Sequence, residues 1–184
     1  LGHLATPDAA AAGAVLLLPD VFGLSDLYRE MARRLAAEGF VTLALEPYGA
    51  PVTITDPGRF LRERSDPETL ARIREGVELL AARHAGAVGV LGFCIGGTHA
   101  LLAACALEGL SACVAFYGIL SYEHGLLHDP AGRDPARKPA DPLAAVAGLR
   151  CPALGLFGGR DEFVPADDVR ALSARAREAG RSLA

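Results

Sequence analysis

Short apolar runs alternate with longer amphipathic stretches along the whole chain. Continuous apolar runs predict strands that are buried on both faces, and five of them stand out: 14–18, 40–45, 87–91, 111–117 and 152–157. Between them, apolar residues recur at helical spacing after Ser25, after Asp66, over 99–107 and over 166–179. This alternation predicts one α/β domain over residues 1–184, with a mostly parallel sheet covered by helices on both faces.

Two irregular segments interrupt the pattern. A loop rich in Pro and Gly runs over 46–58, and a longer stretch over 119–149 contains a short helix-like part at 143–149. Loops of that length are usually functional or disordered, so we interpret 119–149 as a partial lid. Because chemistry in parallel sheets collects at the carboxyl ends of strands, the residues that follow each strand are the first candidates for a site.

Composition excludes several classes of function. The chain has 184 residues, 51% of them hydrophobic, and a formal net charge of −4. Its arginines alternate with acids, as over 59–64 and 170–178, which is typical of solvated helix faces and argues against nucleic acid as a partner. No apolar run reaches the roughly 18 residues of a membrane span. The start carries no secretion signal, and because it is Leu rather than Met we expect an N-terminal piece to be missing.

Cysteine usage predicts a reduced, cytoplasmic protein. The four cysteines have no metal-ligand spacing, so we expect no metal site and no cofactor. Three of them lie in apolar surroundings, where a small buried thiol is the usual interpretation. The fourth is Cys94.

Cys94 lies in the segment Gly92-Phe93-Cys94-Ile95-Gly96, which matches the nucleophile-elbow pattern G-x-S-x-G with Cys in place of Ser. Such a nucleophile sits in strained backbone between a strand and a helix, and the flanking glycines avoid clashes of a Cβ. At the N-terminus of a helix, the dipole and free N–H groups favour a thiolate. The alternative interpretation is a glycine-rich turn with a buried cysteine.

A second candidate, Asp161, follows the last predicted strand in the turn Gly158-Gly159-Arg160-Asp161. A carboxylate in this position suits the residue that orients a catalytic histidine, and the order Cys then Asp fits this class of hydrolase. A solvated turn carboxylate is the alternative.

Three ordered segments, 17–24, 92–97 and 158–165, resemble those of the dienelactone hydrolase (carboxymethylenebutenolidase) family of the α/β-hydrolase superfamily. The resemblance implies that Cys94 is the nucleophile, that Asp161 orients the base, and that the backbone N–H groups of Ile95 and Val21 form the oxyanion hole. It also places Asp20 where the family has a Glu that pairs with the resting thiol. Asp20 is one methylene shorter, and a simple strand-end turn acid is the alternative.

The histidine that the resemblance requires does not follow Asp161 in this sequence. We therefore expect that the last strand, the histidine loop and a final helix are missing, and that this chain is inactive by itself. His99 lies on the elbow helix and favours a core or surface role. His124 and His128 belong to the presumed lid and would reach the site only by an arrangement that the sequence does not predict.

The sequence thus predicts a hydrolase of small esters or lactones that acts through a thioester on Cys94. Two alternatives remain: a hydrolase-like domain that binds a small ligand without turnover, and a thiol-based redox or acyl-transfer protein with Cys105 as a second thiol. The family's arginines for a substrate carboxylate would come from Arg59, Arg62 and Arg64 without a motif to choose among them. The oligomeric state is not predicted. An exposed apolar sheet edge is expected near 154–157.

Overall fold

One sheet forms the centre of the structure. In the computed structural model, which describes residues 1–49, 53–84 and 86–184, the sheet has six strands. They are β1 (Gly2–Ala5), β2 (Gly13–Leu18), β3 (Phe40–Leu45), β4 (Val88–Phe93), β5 (Leu110–Phe116) and β6 (Ala153–Leu156). Their order is β1-β3-β2-β4-β5-β6, and only the edge strand β1 is antiparallel to its neighbour. The predicted mostly parallel α/β sheet is confirmed.

Helices cover both faces of this sheet. They are α1 (Asp26–Ala37), α2 (Pro57–Glu63), α3 (Asp66–Arg83), α4 (Ile95–Ala106), α5 (Pro142–Ala145) and α6 (Ala166–Glu178). Side chains alternate along each strand, so β2 directs Leu16 and Leu18 to the core under α3 and α4, and Leu17 to the smaller core under α1. None of the helices in the described ranges combines the length and apolar character that crossing a membrane requires.

Some boundaries differ from the predicted ones. The strand predicted at 87–91 continues to Phe93, and the helix after it begins at Ile95 rather than His99, so Cys94 alone separates strand from helix. The short edge strand β1 and the helix α2 were not predicted. Helix α2 begins inside the predicted loop 46–58, because Asp56 accepts a capping hydrogen bond from Arg59 N–H at 2.9 Å. Residues 50–52 of that predicted loop lie outside the described residues.

The segment 119–149 contains α5 and two short 3₁₀ turns, Gly125–Leu127 and Val146–Gly148. Its first four residues, 119–122, are buried, whereas 129–137 lie mostly at the surface. The segment is therefore anchored at its beginning, and its role as a lid stays a prediction.

The edge at β6 is both exposed and partly paired. Leu154 and Leu156 are 41% and 39% exposed, as the expected apolar patch requires. The edge itself is not bare, because the N–H groups of Ala153 and Gly155 donate to the carbonyls of Ser182 and Ala184, each at 2.9 Å. The expected exposed apolar patch is therefore confirmed, while the strand edge itself is partly paired.

Candidate active site

Cys94 occupies a strained turn between β4 and α4. Its backbone has φ 55° and ψ −125°, a conformation that residues with a side chain rarely adopt. Hydrogen bonds hold it there: Cys94 N–H donates to Phe116 O at 3.0 Å, and the N–H groups of Gly97 and Thr98 donate to Cys94 O. The strain is thus fixed by the neighbouring strand and by the first turn of α4, and the thiol stands at the carboxyl edge of the sheet.

The glycines of the turn are required by close backbone approach. A Cβ on Gly92 would overlap the carbonyl oxygen of Gly96, and a Cβ on Gly96 would overlap the carbonyl oxygens of Leu18 and Pro19. These overlaps confirm the predicted steric reason for glycine on both sides of Cys94. They also bring the end of β2 against the elbow.

Two backbone N–H groups lie close to the thiol of Cys94. Those of Ile95, the first residue of α4, and of Val21, just past the end of β2, both act to lower its pKa, against the larger effect of burial. Tyr48 fixes the loop of Val21, because its hydroxyl donates to the carbonyl oxygen of Val21 at 3.0 Å. The two N–H groups expected at the oxyanion hole therefore lie beside the candidate nucleophile.

The environment keeps the thiol protonated at rest. Burial raises the pKa of Cys94, and the negative charges of Asp20 and Asp161 raise it further, whereas the hydrogen bonds from Ile95 and Val21 lower it. The net shift is upward. The expectation that the helix terminus would favour a thiolate is therefore wrong for the resting state, because burial and two carboxylates outweigh two N–H dipoles.

Asp20 lies close enough to influence Cys94, yet its hydrogen bonds go elsewhere. Its carboxylate accepts from Phe22 N–H at 2.9 Å, and its own N–H donates to the hydroxyl oxygen of Tyr28 at 3.1 Å. The carboxylate also raises the pKa of Tyr28, which is chiefly raised by burial. Asp20 thus stabilises the loop that carries Val21. These hydrogen bonds are those expected of a turn carboxylate at the end of a strand.

Asp161 is held in the turn after β6. Its carboxylate oxygen accepts from Phe163 N–H at 2.8 Å and from Val164 N–H at 3.3 Å. It is close enough to raise the pKa of Cys94. The fold therefore brings all five predicted positions, at 20, 21, 94, 95 and 161, to the same edge of the sheet.

Tyr117 is a further residue of this edge that the sequence reasoning left without a role. It follows β5 directly, and its φ of 41° makes it the other described residue besides Cys94 with a side chain in the left-handed region. The side chain is 41% exposed and lies beside Phe93. The pKa of its hydroxyl is raised chiefly by burial and further by the charges of Cys94 and Asp20. Its place immediately after a strand was the available signal.

Two histidines, His99 and His124, bind carboxylates other than Asp20 and Asp161. His99 Nε2 lies 3.0 Å from Asp66 Oδ1, and His124 Nε2 lies 2.8 Å from Asp168 Oδ2 on α6. No histidine in the described part of the chain is hydrogen-bonded to Cys94 or Asp161. The core role expected for His99 is confirmed, because it is 7% exposed.

The three candidate arginines have different surroundings. Arg59 pairs with Glu63 at 2.8 Å, and Arg62 donates to the carbonyl of Leu126 at 3.0 Å. The guanidinium of Arg64 lies over the ring of Phe60, 4.3 Å from its centroid, and near Tyr48. Within the described ranges the guanidinium of Arg64 has neither an ion pair nor a hydrogen bond, which makes it the most available of these three arginines to an anionic ligand.

The remaining thiols lie away from the elbow. Cys105, considered above as a second thiol, is close to Cys151. Burial, with a smaller effect from Cys151, raises the pKa of Cys105 to about 11. Cys113 belongs to the same group and is 1% exposed. Cys105 therefore belongs to one group of thiols with Cys113 and Cys151.

Comparison with known proteins identifies the family of this chain. The model of the dienelactone hydrolase family matches residues 1–183. A candidate carboxymethylenebutenolidase of Escherichia coli K12 is 31% identical over 175 residues, which cover 90% of this chain and 60% of that protein. The carboxymethylenebutenolidase of Rhodococcus opacus is 30% identical over 175 residues, with 91% and 64% covered. The chain spans 58% to 60% of the length of the first curated relatives it matches.

Solved structures agree with this result. A Klebsiella pneumoniae protein described as a candidate dienelactone hydrolase superposes with a TM-score of 0.82 at 28% identity, covering 98% of this chain and 75% of that one. The acylaminoacyl peptidase of Pyrococcus horikoshii superposes with a TM-score of 0.76 at 16% identity, covering 98% and 33%, and shares the fold alone. On the evidence of the family model and of these relatives, the chain belongs to the dienelactone hydrolase family.

Proposed function

We propose that this protein hydrolyses small esters or lactones through a thioester formed on Cys94. The observation that carries the proposal is the strained backbone of Cys94 at the strand-to-helix turn, with the N–H groups of Val21 and Ile95 close enough to lower the pKa of its thiol. Preorganised donors of this kind stabilise the oxyanion of an acyl-transfer transition state. The curated names of the relatives, carboxymethylenebutenolidase among them, support a lactone or ester as substrate class.

The first half of the reaction forms the thioester. A base removes the proton from Cys94, the thiolate adds to the carbonyl carbon, and the oxyanion accepts hydrogen bonds from Val21 and Ile95. The carbon–oxygen bond of the ester then breaks, and the alcohol oxygen leaves with the proton. For a lactone the same step opens the ring and keeps the alcohol on the acyl group.

The second half restores the thiol. Water adds to the thioester carbonyl, the carbon–sulfur bond breaks, the acid is released and sulfur regains a proton. Both halves need a base, because the raised pKa of Cys94 leaves the thiol protonated near neutral pH. Asp161, held by two backbone N–H groups, is suited to orient that base, which the family resemblance implies to be a histidine.

We propose Arg64 as the arginine that contacts an acidic substrate, because its guanidinium is stacked on Phe60 instead of paired with a carboxylate. The chemistry uses a thiol, carboxylates, N–H groups and a base, so it calls for no metal or cofactor. Four unpaired thiols fit a reducing compartment such as the cytoplasm.

A second candidate function is a hydrolase-like domain that binds a small ligand without turnover. It is favoured by the hydrogen bonds of His99 and His124, which go to Asp66 and Asp168. Because these two histidines bind other carboxylates, neither can serve as the base that activates water to release the acyl group.

Intact-mass spectrometry after mixing the protein with p-nitrophenyl acetate tests both candidates. We expect one acetyl group on Cys94 and none in Cys94→Ala, with Cys113→Ala as the matched control that leaves the adduct unchanged. A persistent adduct means acylation without release, and fast nitrophenol production without an adduct means complete turnover. A protein that stays unmodified at Cys94 and releases no nitrophenol would contradict the hydrolase and favour the binding domain.

A further inference from the structure

Behind the elbow lies a buried cluster of charged and polar side chains. Asp66, the first residue of α3, is 1% exposed and accepts three hydrogen bonds. The donors are His99 at 3.0 Å, Tyr122 at 2.8 Å and Lys138 at 2.6 Å. Since an ionised carboxylate only accepts hydrogen bonds, His99 Nε2 carries its proton toward Asp66. We call these four residues the Asp66 cluster.

The members of this cluster come from three parts of the chain. Asp66 begins α3, His99 lies on α4, and Tyr122 and Lys138 belong to the segment 119–149. Lys138 is the only lysine of the sequence, and it is 5% exposed. The cluster therefore fastens that segment to the two helices with a buried ion pair, which is costly to open because each charge would lose its partner.

Tyr122 connects the cluster to the candidate oxyanion hole. Its side chain packs in one small apolar cluster with Val21 and Ile95, the residues whose N–H groups face Cys94. The same segment is also tied to α4 by Thr98, whose hydroxyl donates to the carbonyl oxygen of Ile119 at 3.0 Å. The ring thus belongs to the packing that surrounds both oxyanion donors.

Two hydrogen bonds determine where Tyr122 sits. Its hydroxyl donates to Asp66, and its N–H donates to Asp141 Oδ2 at 3.1 Å. The hydroxyl bond is the side chain's one hydrogen bond among the described residues, and it ties the ring to Asp66. Movement of the ring would loosen the apolar cluster that contains Val21 and Ile95, and shifts near 1 Å in a catalytic arrangement can cost about 100-fold in rate.

We propose that Asp66 is a positioning residue for the oxyanion hole, acting through the hydroxyl of Tyr122, whose ring packs in the same apolar cluster as Val21 and Ile95. His99 and Lys138 fix the carboxylate that receives this hydroxyl. The inference deepens the proposed function and rests on it, because it assigns to the Asp66 cluster a part in stabilising the oxyanion of that reaction.

The test separates acyl transfer from simple reactivity of the thiol. Acetylation of Cys94 by p-nitrophenyl acetate passes through an oxyanion, whereas alkylation by iodoacetamide does not. In Tyr122→Phe, which removes one oxygen atom, we expect acetylation to slow about 10- to 100-fold with alkylation within twofold of wild type. Glu123→Gln, which breaks an exposed ion pair with Arg133 on the same segment, is the matched control and should change neither rate.

Labelling of the single lysine verifies that the fold is intact. In Tyr122→Phe the ion pair of Lys138 with Asp66 remains, so Lys138 should stay as protected from an amine-acetylating reagent as in wild type. Acetylation within twofold of wild type would overturn the proposal. A parallel loss of both thiol reactions, or labelling of Lys138 at the rate of the denatured chain, would also overturn it, because the hydroxyl would then serve the fold. Failure of wild type itself to acetylate at Cys94 would instead contradict the proposed function.

Discussion

Two polar centres border the first turns of α4, and they are stabilised in opposite ways. Cys94 precedes the helix in strained backbone, and the polar groups that lower the pKa of its thiol are backbone N–H groups. Asp66 faces the next turn from α3 in relaxed backbone, and its partners are three side chains. At the elbow, the strained backbone leaves the sulfur of Cys94 available to a substrate. At the Asp66 cluster, charged side chains fix one another's positions, and both carboxylate oxygens of Asp66 are occupied by hydrogen bonds.

The difference shows how a site can be both reactive and rigid. Backbone donors cannot rotate away from Cys94, so the sulfur can stay half-buried without a side-chain partner that would block a substrate. The side chains of the Asp66 cluster are buried behind the elbow, where the low dielectric strengthens the attraction between their charges. Breaking either layer should therefore give a distinct result.

The largest expected effect comes from removing the charge of the Asp66 cluster. Asp66→Asn leaves the Lys138 ammonium buried without a carboxylate, and we expect the free energy of unfolding to fall by about 3 kcal/mol at pH 7. Urea unfolding followed by circular dichroism measures the change. Glu63→Gln, which loses an exposed ion pair with Arg59, is the control and should leave the midpoint where it is in wild type.

The stability difference between wild type and Asp66→Asn should depend on pH. His99 and Lys138 hold the pKa of Asp66 below its ordinary value, although burial, the largest single effect, raises it. A carboxyl with a depressed folded-state pKa contributes stability above the unfolded value of about 3.9 and loses it as pH falls through the folded-state pKa. The gap between wild type and Asp66→Asn should thus be full at pH 7 and narrow below about pH 4. A gap that is constant from pH 7 to pH 2 would contradict this account.

A smaller effect should follow from steric overlap at the elbow. Gly92→Ala places a methyl group against the carbonyl of Gly96, so we expect a loss of about 2–3 kcal/mol and slower acetylation of Cys94. Gly89→Ala on the same strand is the control, since its Cβ would lie an ordinary 3.7 Å from Ala112 O. Equal stability of the two variants, measured by urea unfolding, would mean that the elbow is less tightly packed than described.

Much of this arrangement could be predicted from the sequence, because the elbow is specified locally. The glycines of 92–96 and the strand before them lie next to one another in sequence, and so do Asp161 and its turn. The Asp66 cluster could not be predicted, since His99, Tyr122 and Lys138 lie 33, 56 and 72 residues from Asp66. No local pattern joins residues at such separations.

The error about the Cys94 thiol has a similar origin. The helix terminus is visible in the sequence, whereas the burial of the sulfur and the approach of Asp20 and Asp161 appear only after folding. Long-range electrostatics thus reversed a prediction that rested on one local effect.

The smallest expected effect refines this electrostatic picture. Asp20→Asn keeps the hydrogen bond from Phe22 N–H but removes a negative charge near Cys94, so the pKa of the thiol should fall. At pH 8 we expect iodoacetamide to alkylate Cys94 about threefold faster, as a screened charge at this range allows. Glu38→Gln, at an exposed helix end, should leave the rate unchanged. A slower or unchanged rate in Asp20→Asn would show that Asp20 acts only through the loop.

The tyrosines of the chain have a consequence for optical measurement. The sequence contains four tyrosines and no tryptophan. Tyr28 and Tyr48 hold the loop of Asp20 and Val21, Tyr117 lies beside Phe93, and Tyr122 belongs to the apolar cluster of Val21 and Ile95. The tyrosine absorbance and emission of this chain therefore come from residues that border the elbow. An unlabelled sample carries its own spectroscopic reporter of this region.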